Sequence, residues 1–213
     1  MRVSEWLSRD DRSVTVEWAG FSRETFGDPY LVWHDGADFG QLTGRWITES
    51  ATVATALAMG VTAADPVAAQ AIEFLTHQGF DLTSTGAVLR TALDTSTGTF
   101  RVRAAQALFA LTGDQSLALP ICDVLTGAPS QFDRLTAAIA LNRFRPEPPV
   151  VQALTHGVRD SEYLVRRHSA QSLLALAQRT TTIEGEPGLL EDIRSEHRAR
   201  WRRAATELAA PLD

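Results

Sequence analysis

The sequence predicts an all-α fold: a stack of about four helical hairpins with an irregular, partly β cap at one end and a capping helix at the other. Three observations predict it. Nearly the same helix is written four times, as "DPVAAQAIEFL" from Asp65, "FRVRAAQALFAL" from Phe100, "DRLTAAIAL" from Asp133 and "YLVRRHSAQSLLAL" from Tyr163. Aligned on Ala69, Ala105, Ala138 and Ala170, the copies stand 36, 33 and 32 residues apart, the length of a helix–turn–helix unit. Before each copy comes another segment with apolar residues at helical spacing: "ESATVATALAMGV", "STGAVLRTAL", "LALPICDVL" and "PPVVQALTHGV".

The elements follow in order. Residues 1–48 stand outside the repeat and hold Trp6, Trp18, Trp33 and Trp46, four of the five tryptophans. In "SVTVEWAGF", Val14, Val16 and Trp18 alternate with polar residues, which predicts a half-buried strand, and "YLVWHD" reads as a second short β run. Residues 49–179 carry the hairpins. Loop signals part their helices at Ala64-Asp65-Pro66, Ser96-Thr97-Gly98, Gly127-Ala128-Pro129 and Arg159-Asp160-Ser161. Asp65-Pro66 suits a helix start, with Asp as N-cap and Pro in the first turn. Residues 180–188, "TTTIEGEPG", read as a linker to a C-terminal segment, 189–213. There a helix is expected from about Leu189 to Leu208, with Ile193, Trp201, Ala205 and Leu208 inward and Arg194, Arg198, Arg202 and Arg203 outward.

Alanines at the aligned positions let one helix approach the next, while Leu, Ile and Phe fill the seam. One such hairpin cannot bury its own apolar face, whereas stacked hairpins share a continuous core. In this the chain resembles the HEAT-like repeat family, whose second helix commonly reads V-R-x-x-A-A-x-A-L. Val165 to Leu173 matches with serine twice for alanine, and Phe100 to Leu108 with Phe for Val. Asp133 to Leu141 keeps the Arg and the A-A-x-A-L, and the first copy has Asp65 where Arg is expected. The resemblance spans about residues 49–178 and implies a right-handed α-solenoid. Arg101, Arg134 and Arg166 fall at the arginine of the pattern. They are expected to form an internal ladder, each satisfied by an acid or carbonyl of a neighbouring hairpin.

Composition limits the function. Apolar residues are 44% and net charge is −6, ordinary for a globular domain. The 20 basic side chains are all arginine, which reads as codon bias of a GC-rich genome. No stretch approaches the ~20 apolar residues of a membrane helix. "MRVSEWLSRDDR" lacks a secretory h-region, so a cytoplasmic protein with no membrane contact is expected. The single cysteine, Cys122, sits on an apolar stripe and reads as a buried structural thiol. His34, Asp35 and Asp38 form the densest polar cluster; the set suits a metal or an acid–base pair, and equally a Gly-rich loop held by Asx turns, and no second histidine motif accompanies it. No phosphate-loop, dinucleotide or nucleophile-elbow motif is present. No catalytic residue, metal or cofactor is therefore expected.

The function expected is a protein-binding module that presents the concave face of its second helices. Arg103, Thr136 and His168 lie two residues past the ladder arginines and should line up on that face. Arg167 flanks them, and Trp33 and Asp35 of the cap are placed at the rim. The acidic first 50 residues suit a basic protein partner, as in an immunity or antitoxin-type protein; a regulatory scaffold is the broader form. The alternative is a HEAT-like DNA glycosylase acting on alkylated bases, carried by fold resemblance alone. Nucleic acid is not expected as partner, because Glu191, Asp192, Glu196 and Glu207 interleave the arginines of the last helix.

Overall fold

In the computed structural model, which describes residues 16–30, 32 and 36–212, every regular element is helical. The first helices are α1 (Val16–Phe26), α2 (Gly40–Thr62) and α3 (Pro66–His77). Then come α4 (Gly86–Thr95), α5 (Gly98–Thr112), α6 (Ala118–Gly127) and α7 (Gln131–Ala140). The chain continues through α8 (Pro148–Gly157), α9 (Tyr163–Leu176), α10 (Pro187–Arg194) and α11 (Arg198–Ala209). No helix among the described residues is long and apolar enough to cross a membrane.

The four copies become α3, α5, α7 and α9, and each packs against the next. The preceding segments become α2, α4, α6 and α8, each packed on its own copy. In this other row α2 meets α4 and α6 meets α8. The aligned Ala69, Ala105, Ala138 and Ala170 are all fully buried. Ser172, which stands for alanine in the last copy, donates across the α7–α9 seam to the Ala138 carbonyl at 2.7 Å. Asp65 caps α3 as its sequence suggests, accepting from the Val67 amide at 2.8 Å.

No strand of the expected β-hairpin, or any other strand, occurs among the described residues. Residues 16–26 are α1, with Trp18, Phe21, Thr25 and Phe26 buried and Val16 exposed; Val14 lies outside the described residues. Tyr30 and Val32, in the second expected β run, are also helical. The alternation at 14, 16 and 18 competes with a longer period of i, i+3, i+7, i+8 from Trp18 to Phe26. The longer period wins because it puts all the large rings on one side. These rings form one cluster: Trp18 stacks on Phe21 at 5.9 Å, Phe26 meets Phe39 at 5.6 Å, and Phe39 stacks on Phe74 of α3 at 5.2 Å. Trp18 also donates its indole N–H to Asp65 at 2.9 Å. This close approach depends on Gly60, where a Cβ would stand 2.7 Å from the Trp18 ring and 2.6 Å from the Ala68 Cβ. The edge expected for the cap, between 48 and 49, falls inside α2 at Glu49, whose φ of −145° and ψ of 44° kink the helix.

The C-terminal helix is also corrected. It breaks at Ser195–His197 into α10 and α11, and the expected linker holds a short 3-10 turn, Ile183–Gly185. The break lets α11 fold back onto α8 and α9 while α10 packs on α9. Trp201 reaches across it and donates to the Ser195 carbonyl at 2.6 Å. Asp192 of α10 is buried and takes Arg200 at 2.8 Å and Arg203 at 2.7 Å from α11.

Candidate functional site

The ladder arginines take three different environments. Arg134 follows the expected scheme: Nε and Nη2 donate to the Asp160 carboxylate at 2.7 and 3.1 Å. Its Nη1 donates to the Ala128 and Pro129 carbonyls at 2.9 and 3.0 Å. Burial would raise the Asp160 pKa, but the Arg134 and Glu162 hydrogen bonds outweigh it and hold the carboxyl below its usual range. Arg166 uses carbonyls alone, those of Asp160 and Ser161 through Nη1 and that of Ile193 through Nε. Its guanidinium lies 4.1 Å from the Trp201 ring. Arg101 departs from the scheme: its Nε is buried and has no acceptor, and Asp123 stands 3.7 Å from Nη2.

Two positions further on, Arg103, Thr136 and His168 sit on α5, α7 and α9 at matching places in the row of second helices. Arg103 is held by two neutral carboxamides. Gln106 accepts from Nη1 at 3.0 Å, and Gln70 of α3, with its oxygen turned inward, accepts from Nε and Nη2 at 3.2 Å each. Burial lowers its pKa, and no carboxylate counters that shift. Arg103 is thus a desolvated cation fixed in orientation but left without a carboxylate partner. Thr136 turns its hydroxyl back to the Phe132 carbonyl at 2.9 Å. Arg167 pairs with Glu184 of the loop after α9. Burial and then the Arg167 charge lower the His168 pKa, so its imidazole is neutral near pH 7. Trp33 and Asp35, with His34, lie outside the described residues. Asp38 caps the Gly40 amide at 2.8 Å, an Asx turn as expected.

Three exposed apolar side chains in this row escaped the sequence reading. Phe132 and Ile139 on α7 are 52% and 44% exposed, and Leu164 on α9 is 51% exposed. Phe132, Thr136 and Ile139 share one face of α7, and Leu164, His168 and Gln171 share the matching face of α9. The signal was available: Phe132 and Leu164 are 32 residues apart, the same step as Thr136 and His168. Compared with family models, curated proteins and solved structures, the chain matches none.

Chemistry elsewhere is already engaged. Glu73 of α3 reaches across α5 to Arg143, which follows α7, and stands 3.7 Å from His77. Cys122 is buried, its pKa pushed up to about 12 by burial and then by Asp123, and its thiol points at the Pro149 carbonyl. That is an inert structural cysteine. Among the described residues no three His, Cys, Asp or Glu side chains are arranged to hold a metal ion.

Proposed function

We propose that the chain is a HEAT-like, right-handed α-solenoid that binds a protein through the row of second helices. The observation that carries this reading is the run of exposed Phe132, Ile139 and Leu164 beside Thr136, His168 and the uncompensated Arg103. Large apolar side chains in register, next to a polar anchor held ready by packing, are the makings of an interface hot spot. An immunity-type protein or a regulatory scaffold is the form of binding protein we favour. The partner brings apolar side chains to Phe132 and Leu164 and a hydrogen-bond acceptor to Arg103.

Two further observations support protein over nucleic acid. Arg134, Arg143, Arg166, Arg167, Arg200 and Arg203 all donate to acids or carbonyls of the chain itself, so these six are engaged within the fold and not held ready for phosphates. The glycosylase reading needs a carboxylate ready for chemistry, whereas Glu73, Asp160 and Asp192 are each tied to arginine.

The test is selection of binders from a random-peptide display library on the full chain. Peptides with large apolar residues should emerge. Phe132→Ser and Arg103→Gln should each weaken them about thirtyfold, the loss of a hot-spot contact of ~2 kcal/mol. The variants must first melt within a few degrees of the parent. Binders that keep full affinity for both folded variants would place the interface elsewhere.

A further inference from the structure

The unequal ladder points to a binding site at its weakest rung. Ala128 and Asp160 occupy equivalent places, each six residues before a ladder arginine. The backbone carbonyl of Ala128 accepts from Arg134 Nη1, and that of Asp160 accepts from Arg166 Nη1, both at 2.9 Å. Asp160 does a second thing: its carboxylate also takes the preceding arginine, Arg134, through two hydrogen bonds. Ala128 has only a methyl group there, and the preceding arginine is Arg101, whose buried Nε has no acceptor. A cleft of about 380 Å³ opens at this place, lined by Arg101, Asp123, Gly127, Ala128, Pro129 and Asp133 among others.

We propose that this cleft binds a single carboxylate group of a ligand, seated on Arg101 as the Asp160 carboxylate is seated on Arg134. An unmet buried donor is costly, and a carboxylate acceptor recovers that cost with a charge-assisted bond. The acids already present do not fill the role. Asp133 spends one oxygen on the Thr99 amide and hydroxyl, at 2.8 and 2.7 Å, to cap α5. Gly98 makes room for it, since a Cβ there would stand 2.7 Å from the Asp133 carboxylate. Asp123 is 73% exposed and stands 3.7 Å from the guanidinium, where an ion pair contributes little. The same two acids act against any anion and most strongly against a multiply charged one, so the class we assign is a monocarboxylate in preference to a phosphate. The site lies on the loops between α4–α5 and α6–α7 and stands independently of the interface proposed above.

The probe is sodium acetate, followed by the arginine Nε–Hε resonances in the ¹⁵N-labelled full chain at constant ionic strength. The Arg101 resonance should move and saturate, while that of Arg134, already paired, stays in place. Acetamide, the neutral isostere, should bind more than about tenfold more weakly, since a charged acceptor is worth more than a neutral one. Ala128→Asp installs the missing carboxylate from within; it should abolish the acetate response and raise the melting temperature. Acetylated dialanine with a free C-terminus distinguishes the source. Binding at least about tenfold tighter than acetate assigns the carboxylate to a peptide chain, and equal binding assigns it to a small acid. The proposal falls if chloride moves Arg101 as acetate does, or if folded Ala128→Asp keeps the acetate response.

Discussion

The two ends of the helix stack use the same residue type in opposite ways. At the N-terminal end the ladder position is Asp65, and Trp18 of α1 meets it edge-on with its indole N–H at 2.9 Å. At the C-terminal end the ladder position is Arg166, and Trp201 of α11 meets it face-on, 4.1 Å from guanidinium to ring. An indole has a positive edge and a negative face, so one side chain can close a stack on an anion or on a cation. The first copy's departure from the arginine pattern is therefore a fitted feature of that end. The flanking chemistry differs too. The N-terminal end is sealed by a chain of rings from Trp18 to Phe74, the C-terminal end by Asp192 clamped between Arg200 and Arg203.

The widest test removes each ring. Trp18→Ala and Trp201→Ala should each cost about 3–5 kcal/mol in urea denaturation, as for other buried large aromatics. A loss confined to one of them would mean that the other end is ornamental. The next test separates edge from face. Trp18→Phe deprives the Asp65 carboxylate of a donor, at about 1.5–3 kcal/mol, whereas Trp201→Phe keeps a ring under Arg166 and gives up only a neutral bond to Ser195, at about 0.5–1.5 kcal/mol. The reverse order would break the comparison.

Acid should act on the C-terminal end through Asp192. The Arg203 hydrogen bond, helped by Arg200, holds its carboxyl below the usual range in spite of burial. Its folded-state pKa thus lies below the unfolded value near ~3.9. Its stabilisation is complete above that value and is lost as pH falls through the folded one, on the acid side of ~pH 4. Asp192→Asn should lower stability at neutral pH and flatten the acid limb of a stability–pH curve; an unchanged limb would assign acid sensitivity to other groups. The smallest effect is expected at His168. Its depressed pKa means that the unfolded chain takes up a proton first as pH falls below ~6.5, so stability should decline there. His168→Gln should remove that slope, and a slope that persists would belong to another histidine.

Much of the helix stack was legible from the chain. The four copies, their partner helices and the Asp65 cap were each visible as spacing or as a capping residue, because those signals are local. The expected places of Arg103, Thr136 and His168 on successive second helices also followed from the repeat step. Other features were misread or missed for physical reasons. Three apolar residues at 14, 16 and 18 satisfied a strand template, and only the packing of Phe21 and Phe26 against Phe39 and Trp18 favoured the helix. The break at Ser195–His197 carries no glycine or proline; its local mark is the Ser195 hydroxyl, which accepts from the His197 amide at 3.1 Å, a weaker turn signal than either. The difference between Arg101 and Arg134 rests on one side chain, Ala128 against Asp160, that lies 26 to 27 residues along the chain from the arginine it serves.

The sequence by itself determined the helical period, the 32 to 36-residue step and the buried alanine seam, since these depend on the order of small, apolar and polar residues within one or two turns. Tertiary structure alone decided which charges pair across the chain. Glu73 finds Arg143 seventy residues away across α5, Arg134 finds Asp160, Arg101 finds only a distant exposed acid, and Arg103 is left between two glutamines. The long-range partner of a guanidinium is set by where a neighbouring segment arrives in space, and no local pattern encodes that position.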